Sequence, residues 1–94
     1  MAYILVHHKA EDYSKWKSAF DAHQSFRSEN GSKGGKIFQS ANNPNEIFVL
    51  LEWESMESLQ KFSQSDSLKE AMKEAGVVGM PNVHIIEEVA TTVK

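Results

Sequence analysis

Hydrophobic residues recur along this chain in two rhythms, one of period two and one near 3.6, and their order predicts the elements. Ala2 to His8 is rich in strand formers and bounded by charge, which predicts a first strand. Asp12 to Glu29 follows the helical rhythm. Tyr13, Trp16, Ala19, Phe20, His23, Phe26 and Arg27 fall on one side of it. Asp12 can cap its start by accepting a bond from a free backbone N–H, and Asn30-Gly31 supplies a left-handed C-terminal cap. Lys36 to Ala41 reads as a second strand behind the flexible Gly34-Gly35. Asn42-Asn43-Pro44-Asn45 is turn chemistry, and Glu46 to Trp53 is a third strand, so the two strands form an antiparallel hairpin.

Ser55 opens a short helix with Met56, Leu59 and Phe62 on one side, and Ser65-Asp66-Ser67 interrupts it. Ser67 and Glu70 have capping-box spacing for a further helix carrying Leu68, Ala71, Met72 and Ala75, which Gly76 ends. Gly79-Met80-Pro81 reads as a loop, Asn82 to Val89 as the last strand, and Ala90 to Lys94 as a tail.

The order β, α, β, β, α in two pieces, β predicts an α+β fold of ferredoxin-like βαββαβ topology. Right-handed crossovers give a four-stranded antiparallel sheet with its helices on one face. A chain of 94 residues fits one domain, 1–94. The strands are apolar on both faces. Ile4 and Val6 oppose Tyr3 and Leu5, and Phe48 and Leu50 oppose Val49 and Leu51. A half-exposed sheet alternates apolar with polar residues, and the chain has no segment left to cover the second face. A second copy is the simplest cover, so a homodimer is expected.

Composition narrows the function. The net charge of −3, with 10 basic and 13 acidic residues, opposes non-specific binding to nucleic acid or anionic membranes. There is no cysteine, hence no disulfide and no thiolate metal site. No apolar run approaches membrane-spanning length and the N-terminus has no charged leader, so a cytoplasmic location is expected.

Two groups of residues carry candidate chemistry. His23 and Arg27 are one helical turn apart, near the middle of the apolar stripe, where they can face the space between helix and sheet. Histidine moves protons near neutral pH, and arginine holds a phenolate or carboxylate. The competing reading is a satisfied core histidine and an arginine that complements the helix C-terminus. The second group is His7, His8 and His84 on neighbouring strands, with Glu52 and Trp53 expected beside them. These could act as an acid–base pair with an aromatic wall, whereas metal binding lacks any specific ligand spacing. The competing reading is a polar sheet rim. Trp16, Phe20, Phe38, Phe48, Phe62, Met56 and Met72 are core residues first, around which a planar ligand could fit.

Asp12-Tyr13-Ser14-Lys15-Trp16-Lys17-Ser18-Ala19-Phe20-Asp21 and Gly31-Ser32-Lys33-Gly34-Gly35 resemble the dimeric α+β barrel superfamily. Asn42-Asn43-Pro44-Asn45-Glu46, Leu51-Glu52-Trp53 and Glu74-Ala75-Gly76-Val77 extend the match across nearly the whole chain. Within the superfamily it is most similar to small antibiotic-biosynthesis-monooxygenase-like and polyketide-cyclase-like proteins. That resemblance implies oxidation of aromatic polyketides without metal or cofactor, in a pocket between sheet and helices. Haem-degrading relatives use a histidine, and the monooxygenases a tryptophan and a tyrosine, from the second helical region. None of these residue types occurs between Ser55 and Pro81, which argues against haem degradation.

The expected function is a cofactor-independent monooxygenase or cyclase-like enzyme, or a binder, for a small aromatic molecule. His23 or His84 would move the proton and Arg27 would hold an oxyanion, with Trp16, Trp53, His7 and Glu52 lining the ligand. The alternative is a non-catalytic dimerisation or ligand-sensing module.

Overall fold

The computed structural model describes residues 2–93. Its elements are β1 (Ala2–Ala10), α1 (Tyr13–Ala22), α2 (Gln24–Glu29), β2 (Ser32–Ser40), β3 (Asn43–Trp53), α3 (Met56–Ser63), α4 (Asp66–Glu74) and β4 (Val77–Glu87). The four strands form one antiparallel sheet in the order β2-β3-β1-β4. This is the expected ferredoxin-like α+β fold. No helix among the described residues is long and apolar enough to cross a membrane.

The core lies between the helices and one face of the sheet. Ile4 and Val6 of β1 and Ile47, Val49, Leu51 and Trp53 of β3 point into it, since cross-strand partners share a side. Trp16, Leu59 and Phe62 close it from the helices. Tyr3, Leu5, Phe48 and Leu50 point the other way and are only half-buried, while Phe38 beside them is 49% exposed and Ile86 40% exposed. That second face is the apolar surface the sequence pattern predicts.

Several boundaries differ from the sequence reading: β2 begins at Ser32 and not Lys36 and ends at Ser40, so Gly34-Gly35 lies inside it, β3 begins at Asn43 and not Glu46, and β4 ends at Glu87 and not Val89. The helix expected over 12–29 is two helices that meet at His23. The Phe20 carbonyl there accepts from the His23 N–H at 3.2 Å and from Arg27 Nη1 at 2.8 Å. A side-chain donor thus satisfies a carbonyl that helix continuation would otherwise use. The second helical region breaks earlier than expected. Ser65, not Ser67, caps α4, accepting from the Leu68 N–H at 3.2 Å while its hydroxyl donates to Phe62 O at 2.8 Å. One hydroxyl ends α3 and starts α4. Finally, Gly79-Met80-Pro81 is part of β4 and not a loop before it. Its register against β1 shifts between His7↔Asn82 and Lys9↔Val78, so these residues form a bulge. Gly79 takes the required left-handed backbone (φ 73°), and Pro81, which lacks an N–H, is tolerated because β4 is an edge strand.

Candidate functional site

The helix-facing side of the sheet is not completely filled. A cavity of about 60 Å³ lies among β1, α1, α2 and α4, walled mainly by aliphatic and aromatic groups. Four polar or amphipathic side chains face it: His8, Trp16, His23 and Arg27.

His8 reaches it because it follows Ile4 and Val6 at a spacing of two along β1. Its residue is 6% exposed, and neither ring nitrogen has a hydrogen-bond partner. Its ring centroid lies 5.5 Å from that of Trp16, tilted by 51°. Burial, with the nearby His7 adding a smaller effect, lowers its pKa to about 4, so the imidazole is neutral at pH 7. A neutral imidazole keeps one nitrogen lone pair, and here nothing else occupies it.

Trp16 is positioned by α1, whose start is fixed by Asp12 accepting from the Lys15 N–H at 3.1 Å. Its indole stacks on Phe20 at 5.0 Å. His23 sits at the α1–α2 junction against Phe26 at 4.8 Å. Burial and then the Arg27 charge push its pKa down, while Glu74 pulls the other way. Arg27 is 8% exposed. Its guanidinium carbon lies 3.7 Å from the Phe20 ring centroid, a cation–π contact. Burial lowers the Arg27 pKa, opposed by Asp21, yet arginine keeps its charge.

The structure therefore brings His23 and Arg27, the first expected group, together with Trp16, and adds His8 from the second. The second group does not assemble. His84 is exposed and pairs with Leu5, which places it on the open face of the sheet, away from His23. His7 shares that open face, where Nε2 lies 2.7 Å from Glu46 Oε1 and the ring stacks on Phe48 at 4.2 Å. Glu52 also points there, but it pairs with Tyr3 at the far end of β1 from His7. Trp53 pairs with Ala2 at that same end and faces the core, fully buried against Phe62 at 4.6 Å. Trp53 and Glu52 are therefore not beside His7 and His8, because antiparallel pairing sets the end of β3 against the start of β1. Trp53 is also outside the cavity wall. Among the described residues no cluster of three or more histidine, aspartate or glutamate side chains is placed to hold a metal ion.

The arrangement places a neutral imidazole and a cationic guanidinium on one apolar cavity; with a pKa of about 4 His8 is a weak base there until an anion pairs with the imidazolium. The imidazole can then take a proton from a weakly acidic apolar molecule, and Arg27 can hold the oxygen on which charge develops. Aromatic rings and aliphatic side chains make the cavity walls apolar.

Comparison with known proteins agrees with this architecture. The antibiotic biosynthesis monooxygenase family model matches residues 1–74. SnoaB, a cofactor-independent oxygenase from Streptomyces nogalater, superposes with a TM-score of 0.80 at 7% identity, covering 99% of this chain and 97% of that one. A protein from Bordetella bronchiseptica, whose own assignment as an antibiotic biosynthesis monooxygenase is provisional, gives 0.78 at 16% identity, covering 95% and 97%. Rv0793 from Mycobacterium tuberculosis gives 0.71 at 15% identity, covering 98% of each chain. At these identities the structural likeness speaks for the fold. No curated protein matches the chain. From the family match and the fold together, the chain belongs to the antibiotic biosynthesis monooxygenase family.

Proposed function

We propose that this protein is a cofactor-independent monooxygenase acting on a small phenolic or enolisable aromatic molecule in the cavity between sheet and helices. The observation that carries the reading is His8: a neutral imidazole, buried, with both nitrogens unpartnered, on a residue that lines an apolar cavity. Leaving such a group unsatisfied costs on the order of 1–3 kcal/mol; Trp53 Nε1 is unpartnered too, but of the two residues only His8 lines the cavity, where a catalytic task accounts for the cost.

In this mechanism His8 takes a proton from the substrate's hydroxyl or activated C–H, and the guanidinium of Arg27 holds the resulting oxyanion. The anion left behind stabilises the imidazolium, because both charges sit in one low-dielectric cavity. The electron-rich ring is oxidised and dioxygen is the oxidant. One oxygen atom forms the new carbon–oxygen bond, and the other leaves as water with the two hydrogens removed. His23, on the same wall, is the second candidate for proton movement. Two copies joined through the open faces, around Phe48 and Leu50, complete the assembly.

Oxygen uptake by the purified protein with naphthohydroquinone and anthrone, above their spontaneous oxidation, tests this reading. No uptake with either would count against it.

One observation favours the alternative of a non-catalytic dimerisation or ligand-sensing module. The cavity of about 60 Å³ is smaller than the roughly 150 Å³ that admits benzene in an engineered core. A ring enters only if lining side chains shift, and Met72 is an adaptable one. Ring binding without turnover would select that alternative.

A further inference from the structure

We propose that the crevice on the far side of Arg27, between α2 and the start of β2, is an anion subsite. It would receive a carboxylate borne by the same molecule whose ring occupies the apolar cavity. The inference rests on the cavity being the site.

The crevice has a volume of about 450 Å³ and shares Phe20, Arg27 and Leu51 with the inner cavity. Phe20, Arg27 and Leu51 stand between the two spaces, so a molecule that occupies both would have to pass this wall, and would then have more room than the inner cavity alone provides. Arg27 is the reason for assigning it an anion. It is 8% exposed, yet among the described residues it forms no salt bridge and donates one hydrogen bond, from Nη1 to Phe20 O. Buried arginine is ordinarily paired. The lining carboxylate, Asp21, is engaged by Lys17, whose Nζ lies 2.7 Å from each of its oxygens. The remaining N–H donors of the guanidinium fork match the two oxygens of a planar carboxylate.

Lys33 supplies a second positive charge. It is exposed, lines the crevice, and has no salt bridge among the described residues. Its position depends on an irregularity in β2, where the pairing with β3 shifts between Ser32 and Gly34. The next residue, Gly35, packs so closely that a Cβ there would lie 1.9 Å from Leu50 O. The strand therefore tolerates no side chain at Gly35, and the adjacent bulge re-aims Lys33. Lys33 and Lys36 both border the crevice and the open-face pocket beside Tyr3 and Leu50; Lys36 is fixed on the open face by its pairing with Leu50, whereas Lys33 sits at the register shift, so Lys33 is the cation assigned here. Ser28 and Ser32 add hydroxyl donors at the rim.

Titration calorimetry with naphthoate and its uncharged analogue naphthamide tests the subsite. The wild-type protein should bind naphthoate at least about tenfold more tightly than naphthamide, the margin expected of a charge-assisted pair. Lys33→Ala, a surface change that leaves the core intact, should erase much of that preference without weakening naphthamide. Arg27→Gln should remove the rest. Equal binding of the two compounds, or a preference unchanged in Lys33→Ala, overturns the subsite and leaves the cavity reading standing. Binding of neither compound overturns both.

Discussion

The imidazole of His8 and the indole of Trp16 are in tilted contact in the wall of one cavity, their ring centroids 5.5 Å apart, and both nitrogens of the histidine are without a partner. A satisfied core histidine donates from one nitrogen and accepts at the other. His8 does neither, so the fold carries a polar group that its packing does not need. The first prediction follows. His8→Leu should raise stability at pH 7, by about 1 kcal/mol, because an unsatisfied group is replaced by an apolar one. The same change should abolish turnover. Thermal denaturation, where that gain is worth roughly 4–8 °C for a domain of this size, together with oxygen uptake checks both halves. Lower stability in His8→Leu would mean that the imidazole is structural.

The second prediction concerns pH. The folded His8 pKa is lowered from 6.5 to about 4, so folding disfavours the charged form. The unfolded chain takes up this proton first as pH falls. The contribution is therefore fully present above about pH 6.5, is lost progressively between 6.5 and about 4, and is flat below. The loss is at most about 3 kcal/mol. His23, also lowered, acts in the same direction. Melting temperature against pH should show this slope in the wild type and a shallower one in His8→Leu. Superimposable slopes would contradict the assignment.

Trp53 is expected to matter for folding and not for ligands. It is fully buried, and its ring packs on Phe62. Trp53→Ala should cost about 3–5 kcal/mol, enough to unfold many domains of this size, whereas Trp53→Phe should cost less. Trp53→Phe should also bind naphthoate as the wild type does, measured by the same calorimetry. Selective loss of binding would return Trp53 to the site.

The open face of the sheet should join two copies. Leu50→Glu places a charge among Phe48, Leu5 and Lys36 without touching the helix-side core. Light scattering should report a dimer for the wild type and a monomer for this variant. A monomeric wild type at micromolar concentration rules out the pairing.

Much of the fold was legible because each element carries a plain local signal. Asp12 caps α1 as its position predicts, and the run from Ile47 to Leu51 is strand β3. The site was only half legible. The helical stripe set His23 and Arg27 on one wall with Trp16, since spacing along one helix is enough. Strand β1 is apolar on both faces, so alternation alone does not say whether His7 or His8 points inward. The shared parity of Ile4, Val6 and His8 was the available signal, and it becomes decisive once Ile4 and Val6 are known to be core. Register placed Trp53 and Glu52 at the wrong end of the sheet. The Gly79-Met80-Pro81 bulge looked like a loop because glycine and proline mark turns and edge-strand bulges alike.

The central claim is that His8 accepts the substrate's proton. Its most direct test is oxygen uptake by the wild type and by His8→Leu, with naphthohydroquinone and anthrone, at a pH where both proteins are folded. The wild type should take up oxygen above background and the variant should lose about 100-fold or more of that rate, the range typical of a removed general base. Uptake by His8→Leu at the wild-type rate would contradict it.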